Sequence, residues 1–174
     1  MDITTLEMIG KNSFEVSFAA GEFFFPKVVW QHTDGKLQIG MYETEFKLFK
    51  AMCIEIAGQG PLEYISHAAD SYHFDSTKAD KATAQALLAG EMRVSELFEQ
   101  GHPAATEALA IVYVNVDGTH DQRILPYVRN GRTLRWEESV VEAMLKPRLA
   151  GRYIDTMAAA IEASYAGVNE NAGG

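Results

Sequence analysis

A single cysteine, Cys53, is all the thiol the sequence holds, so no internal disulfide and no cysteine-based zinc site can form. Apolar runs long enough to cross a bilayer are missing. The start, M-D-I-T-T-L-E-M, has neither the basic residues nor the apolar stretch of a secretory signal. A cytoplasmic protein without membrane contact is therefore expected. The phosphate-loop pattern, the dinucleotide fingerprint and the G-x-S-x-G elbow are all absent, which removes the usual sequence grounds for a nucleotide or serine-nucleophile enzyme. No cofactor is called for. No repeat, low-complexity block or second-domain break appears, and 174 residues suffice for one core. The expectation is a single domain over 1–168 and a flexible tail at 169–174.

Positive charge is scarce: 15 Lys and Arg face 24 Asp and Glu, for a net charge of -9. Arginine is unevenly placed as well. Six of the seven arginines fall between Arg123 and Arg152, and residues 122–152 carry a net +4 against -13 for the rest. Asymmetry of this kind can mark an interaction surface, or simply a basic segment packed beside an acidic remainder.

What is present reads as α+β. Residues 2–9 and 14–19 have the composition and alternation of short strands, with Gly10-Lys11-Asn12 between them as a turn. E-F-F-F-P-K-V-V-W-Q-H and K-L-Q-I-G-M-Y then flank Asp34-Gly35, a strong hairpin signal, so a four-stranded antiparallel meander is expected at the N-terminus. Pro26 bends its strand or places it at an edge. Residues 43–57 suit either a helix or a strand, with the helix favoured by the stripe Phe46, Phe49, Met52, Cys53, Ile56, by a Glu43–Lys47 pair and by Gly58 as a left-handed stop. Residues 58–77 read as a long connection containing a short helix from Leu62 to Ala69.

Thr77 and Asp80 suggest a capped helix that Gly90 stops, and Ser95 a second short helix. A-L-L-A-G-E-M-R-V-S-E-L-F resembles the helix–turn–helix corner of many unrelated bacterial proteins, which implies two helices there and no activity. The most β-rich stretch follows. A-L-A-I-V-Y-V-N-V turns at Asp117-Gly118, returns through R-I-L-P-Y-V, and turns again at Asn130-Gly131 into T-L-R-W. A helix beginning near Glu137 and interrupted at Pro147 completes the chain, giving a C-terminal helix pair whose second member buries Tyr153, Ile154, Met157, Ile161 and Tyr165. The expected whole is an antiparallel sheet, made of the meander and the 109–136 strands, packed by helices.

Two constellations merit chemistry. His67, Asp70, His73 and Asp75 are residue types that bind metal, although their spacing matches no known metal motif. A polar loop anchored by aromatics accounts for them more simply. Cys53 sits between Met52 and Ile54, which argues for burial, and Glu137-Glu138 suits a helix start. The other constellation is the arginine hairpin: Arg123, Tyr127, Arg129, Arg132, Arg135 and Trp136. Arginine forks match carboxylates and stack on aromatics, and these residue types concentrate at interface hot spots. The expected function is non-catalytic binding to a macromolecular partner, protein favoured over nucleic acid because the chain is acidic. Accessory proteins of phages and plasmids, some of them inhibitors of host enzymes, are commonly small acidic chains of this sort. The alternatives are a small enzyme using the His67–Asp75 segment, a nucleic-acid-binding hairpin, and a homo-oligomer formed through the C-terminal helix.

Overall fold

The computed structural model describes residues 3–138 and 147–171, with side chains detailed for 3–138 and 151–166. It is α+β: a six-stranded antiparallel sheet in the order β2-β1-β3-β4-β5-β6, with helices on both faces. No helix among the described residues is long and apolar enough to cross a membrane.

The chain opens with helix α1 (Ile3–Ala20) where two strands were expected. Its buried residues, Leu6, Gly10 and Phe14, recur every four positions, the spacing of one helix face. The alternation of Phe14, Val16 and Phe18 misleads, since Val16 is exposed. Tertiary packing overrides local β preference here. Gly10 makes no turn. It is the point of closest approach to the sheet, where an added Cβ would lie 2.9 Å from Ile111 Cδ1 and 3.3 Å from Leu109 Cδ2.

Strands β1 (Lys27–His32) and β2 (Leu37–Met41) form the expected hairpin, so the N-terminal part supplies two strands rather than four. Gly35 takes φ +84°, and Asp34 accepts a hydrogen bond from the Lys36 N–H at 3.0 Å. Helix α2 (Phe46–Ala57) resolves the ambiguity at 43–57. Lys47 pairs with Glu45 at 2.6 Å instead of Glu43, which precedes the helix. Gly58 caps the end in a right-handed conformation, not a left-handed one.

The largest departure is at 58–77. Those residues are mainly β3 (Leu62–Phe74), a 13-residue strand bonded to β1 on one side and β4 on the other. Its first half is buried on both faces, which suppresses the apolar–polar alternation that marks a half-exposed strand. Polar residues in that half hide it further. The Ser66 hydroxyl donates to the Val29 carbonyl at 3.1 Å, and His67 lies 2.5 Å from the Tyr42 hydroxyl. A turn of 3-10 helix then leads to α3 (Lys81–Ala89), capped by Asp80 through the Thr83 N–H and stopped by Gly90 at φ +78°. Helix α4 (Val94–Glu99) begins at Arg93, whose N–H is held by Glu96, so Ser95 lies within the helix rather than at its cap.

Strands β4 (Ala105–Asn115), β5 (His120–Asn130) and β6 (Thr133–Trp136) follow the expected course, with turns at Gly118 and Gly131. Glu137 and Glu138 are not helical, and the helix expected over 139–146 lies outside the described residues. Helix α5 (Pro147–Asn171) starts at the proline and extends into the segment expected as tail, of which 172–174 lie outside the described residues.

Two cores result. On one face α2 and α5 pack Phe49, Cys53, Ile56, Met157 and Ile161 against Val28, Trp30, Ile65 and Val112. On the other, α1 and Phe24 cover Val29, Tyr64, Leu109, Ile111, Leu125 and Tyr127. The apolar side of α5 is thus spent on its own sheet, and Ser164 and Tyr165 fasten it there through the Leu62 N–H and C=O, each at 3.0 Å. Gly10→Leu is expected to overpack the α1–β4 contact and destabilise the protein by about 1–3 kcal/mol, seen as a lower urea midpoint. An unchanged midpoint would contradict so close an approach.

Candidate functional site

The β5–β6 hairpin brings the four sequence-predicted arginines together and turns two of them inward. Alternation along β5 turns Arg123, Tyr127 and Arg129 toward the α1 face. Arg123 is largely covered and shared between Glu7 of α1 at 3.2 Å and Asp121 at 2.7 Å. The Tyr127 ring is buried, and its hydroxyl donates to Asp70 Oδ1 at 3.0 Å. Burial raises the Asp70 pKa, and the Tyr127 hydrogen bond works against that rise. Arg129 grips Glu107 with both arms of its fork, Nε to Oε2 at 2.7 Å and Nη2 to Oε1, and its guanidinium lies 5.3 Å above the Phe18 ring. The Glu107 hydrogen bond raises the Arg129 pKa further, so this cation does not titrate.

Trp136 closes the base of the hairpin. Its indole N–H donates to Glu15 Oε1 at 2.5 Å, Lys11 stands 5.5 Å over its ring, and Phe14 and Tyr127 pack edge-on to it. Glu7, Lys11 and Glu15 are spaced by four and form the side of α1 that meets the hairpin. These partners were readable as a charged stripe only once α1 was taken as a helix.

Two arginines remain outward. Arg132 lies in the exposed turn and has no ion pair or hydrogen bond among the described residues. Arg135 is 73 % exposed, with Glu137 at 3.6 Å, too far to neutralise it firmly. Val128, half-exposed, stands directly opposite Arg135. The hairpin therefore presents Arg132, Arg135 and Val128 from a base braced by Arg129–Glu107 and Trp136–Glu15.

The His67–Asp75 set does not come together. On a strand, residues 67 and 73 fall on one face and 70 on the other. His67 lies in the α2–α5 core, stacked on Tyr153 at 4.4 Å, while Asp70 belongs to the Tyr127 side. Asp75 is occupied in capping Thr77 and pairing with Lys78. Among the described residues no group of His, Cys, Asp or Glu could hold a metal ion. Cys53 is buried, and burial pushes its thiol up to about 12, far from a reactive thiolate. The chain matches no protein-family model, no curated protein and no solved structure.

Burial pushes the His67 imidazole down to about 3. The unfolded chain, with an ordinary value of about 6.5, takes up the proton first as pH falls. Stability contributed by neutral His67 is intact above that value and is lost on acidification towards the folded value, by up to about 1.4 kcal/mol per pH unit. Urea unfolding of wild type from neutral to mildly acid pH is expected to show this decline, and His67→Gln to show a shallower one. Equal slopes in the two proteins would contradict a neutral buried His67.

Proposed function

We propose that this chain is a small cytoplasmic binding protein without catalysis, acting as an accessory or inhibitor protein that occupies an acidic surface of a protein partner through the β5–β6 hairpin. The observation that carries this reading is the pair of outward arginines, Arg132 and Arg135, with Val128 between the braced base and the tip. Internal partners fix the hairpin before any contact is made, so little ordering entropy is lost on binding. An arginine fork beside an exposed apolar residue suits a carboxylate-bearing protein surface.

Nucleic acid is the less favoured partner. Two outward arginines neutralise few phosphates, and the remainder of a chain of net charge -9 repels a polyanion. Arg132→Glu/Arg135→Glu removes only the loose, exposed Arg135–Glu137 contact, leaves the bracing Arg129–Glu107 and Trp136–Glu15 contacts in place, and is expected to fold normally. Capture from the native cell on the immobilised wild-type chain, compared with this variant, tests the proposal. The expected outcome is a specific protein retained by wild type, lost with the variant and weakened by salt. Retention unaffected by the double substitution, or retention of oligonucleotide instead, would overturn it.

A further inference from the structure

The sheet has two edges, and they differ. At the β6 edge, the Glu137 N–H bonds to the Pro126 carbonyl at 2.9 Å, so by alternation Thr133 and Arg135 turn their backbone groups toward β5. Only Leu134 and Trp136 are left to face outward, beside arginines that guard against strand addition.

At the β2 edge the charged side chains flank the strand instead, with Lys36 paired to Asp34 before it and Lys27 Nζ 3.3 Å from Met41 Sδ at its end. Hydrogen bonds from His32 N–H to the Lys36 carbonyl at 3.2 Å and from Tyr42 N–H to the Pro26 carbonyl at 3.3 Å place the even-numbered residues of β2 toward β1. Leu37, Ile39 and Met41 therefore aim their N–H and C=O groups at the open edge. The same three residues expose their side chains, at 45 %, 55 % and 59 %. Phe23 and Phe25, just before Pro26, are exposed as well and meet edge to face at 5.2 Å. The strand is held firm from behind: a Cβ on Gly40 would meet the Met52 methyl of α2 at 3.1 Å and the Trp30 ring at 3.2 Å.

We propose that β2 pairs antiparallel with β2 of a second copy about a two-fold axis at Ile39, continuing the sheet across a homodimer. The strand is self-complementary in this register. Ile39 meets Ile39, Leu37 meets Met41, and all of these are residues whose backbone groups face outward, so each pair exchanges both of its hydrogen bonds. A one-residue slip would oppose outward groups to inward ones and lose the ladder. Charge permits it as well. Lys27 and Lys36 are matched by Asp34 and Glu43, so this edge is neutral on a chain whose net charge of -9 keeps copies apart elsewhere. The dimer does not depend on the hairpin reading, since β2 and β6 lie at opposite ends of the sheet.

Sedimentation of the full chain from low to high micromolar concentration tests this. The expected result is a monomer–dimer equilibrium for wild type, weakened about a hundredfold or more by Ile39→Lys, which buries an unpaired charge at the two-fold axis. Circular dichroism confirms that the variant is folded. Ile54→Lys, at an exposed apolar position of α2, and Arg132→Glu/Arg135→Glu are expected to leave association unchanged. A wild type that stays monomeric throughout would overturn the proposal, as would a dimer that survives Ile39→Lys in folded form or is lost with Ile54→Lys.

Discussion

Everything in this fold hangs on β3 and β4 being paired and covered on both faces. Their register runs from Tyr64↔Asn115 to Phe74↔Ala105, and adjacent residues point into different cores. A shift of β3 by one residue against its neighbours would exchange that strand's two faces, sending Ile65 toward α1 and Tyr64 toward α5 while β4 kept its own faces. The apolar side chains of both layers therefore hold the pairing in place. Within the layers the buried Ser66 and His67 side chains each have a fixed partner.

The two ends of the sheet inherit opposite characters from this centre. Helix α1 crosses β4, β5 and β6, and its charged side supplies carboxylates to Arg123 and Trp136. Arg123 and Arg129, two of the four arginines of the hairpin, are consumed there in bracing it. Helix α1 stops short of β2, whose outer face stays apolar and open. An acidic partner is accordingly proposed at the charged, braced edge and a second copy at the neutral, apolar one.

The C-terminal half of the fold was readable because its signals are local. Asp117-Gly118 and Asn130-Gly131 fall at turns with glycine at positive φ, and Pro147 opens α5 as a first-turn proline should. The misread segments were those where long-range packing decides. In α1 only a narrow stripe is buried, so Phe14-Glu15-Val16-Ser17-Phe18 satisfies a strand pattern equally well. In β3 burial on both faces removes the alternation, and the polar series from His67 to Asp75 looks like a loop. The site was half legible: the hairpin and its arginines were visible, but Glu7, Glu15 and Glu107, which hold them, come from distant segments. The β2 edge gave no sign, because K-L-Q-I-G-M-Y reads the same whether its outer side is covered or bare.

Residue-resolved amide hydrogen exchange at low and high protein concentration tests most directly whether the two edges are unequal in this way. The account predicts that the Leu37, Ile39 and Met41 amides become protected as concentration rises, while Gln38 and Gly40, already bonded to β1, and Leu134 and Trp136 at the far edge do not change. Protection that appears at Leu134 and Trp136 instead, or exchange at Ile39 that ignores concentration, would contradict it.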